Sequence, residues 1–252
     1  MAAWTKRFVK QLLVGVVLGI GVVGSLSAPV QAEVFLGLYG GGAFTEKAEV
    51  KGEEKFIPPA GGGPTTTQTF REDADFKDSF TVGGRVGYWI ERFPWLGVAV
   101  DASYFDADDN KADIHIPVVG LSVLLMMRYP FFTSEQFPKG RFQPYLGIGP
   151  ELAFTKISAE FKDGNGTTKI KEHATGGGVD FRTGMLWQFH QHWGVFTEYR
   201  LTYTQFDTKN SWNLYDDDDI DDDDIPSGGY RREDLDTTLT THHFLVGISF
   251  RF

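Results

Sequence analysis

The sequence predicts an all-β chain of eight antiparallel strands in up-and-down order, closed into a barrel that crosses a membrane. Three observations point there. The last eleven residues, HHFLVGISFRF, alternate without a break. Phe244, Val246, Ile248, Phe250 and Phe252 fall on one face of a strand, and Leu245, Gly247, Ser249 and Arg251 on the other, because successive strand side chains point to opposite sides. Beyond the N-terminal 32 residues no apolar stretch is long enough for a membrane helix; the longest, Val118 to Met127, is about half of the ~20 residues required. Finally, short turns alternate along the chain with longer connections, most of them polar.

The first element is a leader. Lys6, Arg7 and Lys10 form a basic region, Leu12 to Leu26 an apolar region, and Val30-Gln31-Ala32 a small-residue cleavage site. These are the three parts of a secretory signal peptide, so residues 1–32 are expected to be removed and 33–252 to form the barrel. Eight strands follow, at about 34–44, 79–90, 95–106, 114–130, 141–157, 176–190, 192–207 and 237–252. The third sets Leu96, Val98, Val100 and Tyr104 against Asp101 and Ser103. In the sixth, Val179, Phe181, Met185, Trp187 and Phe189 oppose Asp180, Arg182, Gly184 and Gln188. The seventh places Trp193, Val195, Thr197, Tyr199, Leu201 and Tyr203 opposite Gly194, Phe196, Glu198, Arg200, Thr202 and Thr204.

Short connections lie at Glu91 to Pro94, Phe131 to Gly140 and His190 to His192. Between them come residues 45–78, 107–113, 158–175 and 208–236, three of them long and rich in Gly, Pro or Asp. Transmembrane barrels keep short turns on the periplasmic side, so these four are expected as external loops and both termini as periplasmic.

Alternation alone also suits a soluble barrel with its apolar face inward, as in a secreted lipocalin-like binding protein. Charge type separates the two. Nearly every Lys after the leader lies in a connection or at a strand end. The charges within strands are Arg85, Asp101, Arg128, Glu151, Asp180, Arg182, Glu198, Arg200 and Arg251. A solvated face uses Lys freely, whereas an enclosed polar interior needs paired charges, and the planar fork of Arg pairs best with carboxylates. These nine residues are therefore expected to point inward in an ion-pair network with Tyr39 and Tyr145. The apolar faces, ending in Trp or Tyr, would meet lipid between aromatic girdles.

The chain of 252 residues carries a formal charge of −10, which becomes −13 once the leader's three basic residues are removed. That balance argues against nucleic acid as a partner. There is no Cys, which excludes cysteine catalysis, thiolate metal sites and haem attachment through CxxCH. No cofactor is expected.

The strand segments VFLGLYGGGAF (34–44), PYLGIGPELAF (144–154), WGVFTEYRLTYT (193–204) and HHFLVGISFRF (242–252) resemble the OmpA-type eight-stranded outer-membrane barrels, the group of OmpX, Ail and the opacity-type surface antigens. The resemblance implies an outer-membrane location in a Gram-negative bacterium and contact with membrane lipid and lipopolysaccharide. It also implies recognition of Phe244, Val246, Ile248, Phe250 and Phe252 by the barrel-assembly machinery. Function is expected to be structural or surface-interacting through the external loops; the alternatives are a small channel or transporter, and a lipid-modifying or proteolytic barrel enzyme. The chain stops at Phe252, so no peptidoglycan-binding domain is expected after the barrel.

Three further features bear on chemistry. Asp216, Asp217, Asp218, Asp219, Asp221, Asp222, Asp223 and Asp224 form an acidic run that suits a solvated loop, a weak divalent-cation or lipopolysaccharide-bridging site, or a surface for a basic protein partner. It lacks the Gly and Glu spacing of an EF-hand. His242 and His243, near Asp234 and Asp236 in sequence, must face opposite ways on one strand and share no site, and His190 and His192 flank a turn. Gly40–Gly42 and Gly176–Gly178 lack the helix and Lys of a phosphate loop. No catalytic residue is expected.

Overall fold

The computed structural model describes residues 33–58, 64–108, 114–163, 166–213 and 230–252. Its strands are β1 (Glu33–Thr45), β2 (Ala48–Ile57), β3 (Thr66–Ala74), β4 (Ser79–Trp89), β5 (Leu96–Asp106), β6 (Ile114–His115), β7 (Pro117–Arg128), β8 (Phe142–Asp163), β9 (Gly166–Gln188), β10 (Trp193–Asn213) and β11 (Tyr230–Arg251). β1, β4, β5 and β7 to β11 pair antiparallel with their neighbours, and β1 also pairs with β11, from Phe35↔Arg251 to Thr45↔Thr241. That last pairing closes an eight-stranded barrel. Each of the eight strands read from the sequence is found, with ends shifted by a few residues except where strands run on.

They run on at one end of the barrel. Within the connections 158–175 and 208–236, read from the sequence as loops, residues 158–163, 166–175, 208–213 and 230–236 are instead strand: β8 and β9 stay paired out to Asp163↔Gly166, and β10 and β11 out to Asn213↔Tyr230. β8 to β11 are 21 to 23 residues long, about twice the ~9–11 that a tilted strand needs to span a bilayer. The connection 45–78 also contains strands, β2 and β3, which form a hairpin laid against the extension of β11 from Thr237↔Val50 to Tyr230↔Ile57. The cause is cross-strand pairing: polar, Thr- and Lys-rich segments extend as strands when a partner backbone is held alongside by the barrel. The segment read as one strand over 114–130 breaks at Ile116, and β6 pairs with β8 at Ile114↔Ala159.

At the other end are tight turns. In that between β7 and β8, Phe132 has φ 55° and Gly140 φ 85°, and a Cβ on Gly140 would lie 2.8 Å from the Phe131 carbonyl oxygen. Only glycine satisfies both conditions at residue 140.

The pleat separates two environments. Outward residues include Val100, Val123, Ile148, Trp187, Phe244 and Val246, the last 63% exposed, and they form a continuous apolar belt. A water-soluble monomer rarely exposes so much contiguous apolar surface, whereas lipid solvates it. The lipocalin-type arrangement, apolar within and polar without, is thereby reversed. Inside, two apolar layers bracket a polar one. Near the turns sit Phe35, Trp89, Leu124, Met126, Leu186 and Phe196; toward the ribbons sit Ala43, Phe105, Val118, Phe206 and Leu239.

Candidate functional site

The polar layer is built by inward positions of β1, β4, β5, β7, β8, β9 and β10. A small barrel has no room for bulk water, so each charge here must find a protein partner. Arg182 lies at the centre and is fully enclosed. Its Nη1 donates to Asp101 Oδ2 at 2.8 Å and its Nη2 lies 2.8 Å from Asp101 Oδ1. Its Nε and Nη2 donate to Asp180 at 3.0 and 2.7 Å, and Nη1 also reaches Glu198 at 3.3 Å. One guanidinium thus meets three carboxylates, a geometry that Lys cannot reproduce.

Two further arginines complete the layer. Arg85 Nη2 donates to both Glu198 oxygens at 2.6 Å, and its Nε lies 3.7 Å from Asp101. Arg200 donates through Nη1 to Ser103 Oγ (2.6 Å) and through Nη2 to Glu151 (2.7 Å), with Asp180 at 3.0 Å. Hydroxyls fill the remaining acceptor sites: Tyr39 on Asp101, Tyr145 on Glu198 and Ser122 on Asp180, each at 2.7 Å, and Thr204 on Glu151 at 3.0 Å. Arg85 also lies 5.1 Å from the centroid of the Phe196 ring, and Arg128 4.2 Å from that of Trp89.

Arg128 and Arg251 belong to a second cluster at the turn end. Arg128 grips Glu33 through two hydrogen bonds of 2.8 and 2.7 Å. Arg251 Nη1 lies 2.7 Å from Glu33 Oε1 as an ion pair without hydrogen-bond alignment, and its Nη2 donates to Gln143 at 2.8 Å. Between the clusters is a void of about 30 Å³ lined by Phe35, Arg85, Met126 and Tyr145 among others, room for about two waters at ~10–15 Å³ each.

All nine strand charges singled out in the sequence are buried, but in two groups: Arg85, Asp101, Glu151, Asp180, Arg182, Glu198 and Arg200 in one, Arg128 and Arg251 in the other. Sequence reasoning missed Glu33 and Gln143. Glu33 shares the parity of Phe35, Gly37 and Tyr39, so continuing that alternation back to the edge of the leader would have found it. His243 points inward with Nδ1 2.9 Å from Thr81 Oγ1, and His242 points outward.

In the last strand Phe244, Val246, Ile248 and Phe252 face outward, and Phe250 packs on Trp193 with ring centroids 4.7 Å apart. Asp216 to Asp219 and Asp221 to Asp224 lie outside the described residues. His190 and His192 sit at the turn end, where His192 Nδ1 lies 2.9 Å from the Arg251 carbonyl oxygen. Among the described residues no group of three His, Cys, Asp or Glu is placed to hold a metal ion.

Three solved structures are similar in fold. Neisserial surface protein A is 13% identical, with 83% of this chain and 99% of that one covered and a TM-score of 0.42. OprG of Pseudomonas aeruginosa is 17% identical, with 88% and 95% covered and a TM-score of 0.40. Ail of Yersinia pestis is 10% identical, with 84% and 99% covered and a TM-score of 0.34. No curated protein matches the sequence. Residues 18–252 match the family model of the outer membrane protein beta-barrel domain, and the chain, an eight-stranded barrel with a lipid-type exterior and a charged interior, belongs to that family.

Proposed function

We propose that this protein is a sealed outer-membrane barrel that serves as a structural and surface-interaction platform, with its β-ribbons outside the cell and its tight turns facing the periplasm. The observation that carries this reading is the central charge layer, in which Arg182 bridges Asp101, Asp180 and Glu198 across the bore. Passage of an ion would require breaking hydrogen bonds among buried charges that lie away from bulk water. The apolar layer around Phe105, Phe206 and Leu239 adds a second barrier on the ribbon side. Side-chain chemistry facing a partner therefore belongs to the ribbons and not to the bore. The reading is also non-enzymatic. Among the described residues His243 bonds Thr81, and His242 bonds Tyr199 and Glu46, with no serine nucleophile on either.

Planar-bilayer recording of the refolded barrel tests the seal. Wild-type protein is expected to give no steady conductance steps in salt solution, while Arg182→Ala, which leaves carboxylates unpaired and a gap at the centre, is expected to give intermittent ones. Stable steps from the wild type would make it a channel.

A further inference from the structure

The cavity between the two charge clusters has a charged lining of one sign. Arg85, Arg128 and Arg251 all reach it, Ser249 adds a hydroxyl, and Phe35, Met126 and Phe196 supply apolar wall; no Asp or Glu side chain is among its lining residues. The three arginines are only 3%, 5% and 7% exposed. Away from solvent their field is strong, so three guanidiniums converging without a facing carboxylate suit an anion better than neutral water.

Pairing within the turn-end cluster leaves one of these cations short. Arg128 already grips both oxygens of Glu33, at 2.8 and 2.7 Å, and Lys139 Nζ lies 3.1 Å from Glu33 Oε2. Arg251 reaches Glu33 Oε1 without hydrogen-bond alignment, and otherwise bonds only the neutral Gln143. One carboxylate thus serves three cations. Among the described residues the buried Nε of Arg251 has no hydrogen-bond acceptor, and neither has that of Arg85, 3.7 Å from Asp101. A buried cationic N–H without an acceptor is costlier than a neutral one. The central layer does not supply the missing charge. It has one carboxylate more than it has arginines, but Glu151 is engaged by Arg200 and Thr204. Along β8, position 151 is eight residues from position 143 at the cavity, about 26 Å at ~3.3 Å per residue.

Arg251 also lines a wider cavity of about 300 Å³ at the turn end, with Lys139, Gln188 and His192 around it. That outer cavity gives access from the turn side. It carries Glu33 and Glu135 as well, so positive charge without acid is confined to the inner one.

We propose that the inner cavity is a binding site for one chloride-sized inorganic anion, held by Arg251, Arg85 and the Ser249 hydroxyl. Room for about two waters is room for a halide and too little for a phosphate with its four oxygens. The anion supplies Arg251 with the counter-charge that Glu33 cannot. Because Arg251 on β11 is registered with Phe35 on β1, the ion strengthens the seam at which the barrel closes. The site lies on the turn side of the central layer and is independent of whether the bore conducts.

The test is anomalous diffraction from crystals of the refolded full barrel grown in sodium bromide, since bromide replaces chloride and scatters anomalously. One bromide peak is expected within hydrogen-bonding distance of Arg251 Nε and Ser249 Oγ. None is expected in Arg251→Met, which keeps the apolar stem and removes the surplus cation. In lipid vesicles the folded-to-unfolded ratio of the wild type is expected to be about tenfold larger in about 0.3 M sodium chloride than in sodium gluconate of equal ionic strength, as a Kd of about 30 mM gives. Gluconate is too large for the cavity, and Arg251→Met is expected to respond equally to the two salts. Water without anomalous signal in the wild-type cavity overturns the site, as does bromide confined to the outer cavity beside Lys139, an adventitious ion only. Equal wild-type stability in the two salts overturns it too, and so does a chloride effect that survives Arg251→Met. Should Arg251→Met fail to fold, the wild-type bromide map and salt comparison still decide.

Discussion

At the residue scale, the stability of this barrel rests on charges that cannot lose a partner. Removing water from seven ionised groups is expensive, and the pairing within the layer offsets that cost instead of adding a large net gain. Truncation of one member therefore exposes the full penalty of the others. Arg200→Ala would leave Glu151 and Asp180 each without a cation contact of 2.7 and 3.0 Å. It is expected to lower unfolding free energy by about 3–5 kcal/mol, read from the urea midpoint in lipid vesicles. Tyr145→Phe removes only the 2.7 Å hydroxyl donor to Glu198 and is expected to cost about 1.5–3 kcal/mol in the same measurement. If both variants unfold at the wild-type midpoint, the layer is solvated and the pairing contributes nothing. The inward direction of Arg85, Asp101 and Glu198 was legible in the sequence from strand parity. Their partners were not, because Arg85 and Glu198 are 113 positions apart and meet only across the closed bore.

At the element scale, strands of a narrow barrel must leave room for the rings that cross it. Tyr145 reaches Glu198 by lying against the backbone of β9 at Gly184. A Cβ on Gly184 would fall 2.6 Å from the Tyr145 ring and 2.6 Å from the Thr197 carbonyl oxygen. The first contact could be relieved by moving a side chain, but the second is backbone and cannot be. Gly184→Ala is accordingly expected to destabilise the barrel by about 1–3 kcal/mol and to lower the temperature at which its gel band shifts. An unchanged shift temperature would show that β9 and β10 separate without cost. Gly83 plays the same part for Tyr39, whose ring and hydroxyl occupy the space a Cβ would take. The glycines were visible in the sequence as interruptions of strand pattern, whereas the ring opposite each became visible only with the register of β1 on β4 and of β8 on β9.

At the scale of the whole molecule, a closed barrel carries strands that run on past it. β10 and β11 leave β9 behind at Gly176↔Phe206 and continue together to Asn213↔Tyr230. Phe206 and Leu239 of the ribbon-side apolar layer lie on β10 and β11 within the barrel. Deleting residues 209–234 and joining Thr208 to Leu235 is expected to leave a heat-modifiable barrel, while β2 loses the β11 backbone it pairs with over residues 230–234. A chain that no longer folds would assign the ribbon a role in assembly.

What the sequence by itself determined is local. A period of two over eight segments, Arg in place of Lys in the interior of those segments and short turns between them are read residue by residue, and they settle the number of barrel strands, their faces and the fold class. The tertiary structure alone decided whatever depends on chain closure. Pairing β1 to β11 sets the stagger of all eight strands, and that stagger determines which carboxylate each arginine meets and separates Arg128 and Arg251 from the other seven charges. It also turned residues 158–163, 166–175, 208–213 and 230–236, apparent loops, into paired strands, because an extended polar segment is stabilised by the backbone beside it and carries no apolar period of its own.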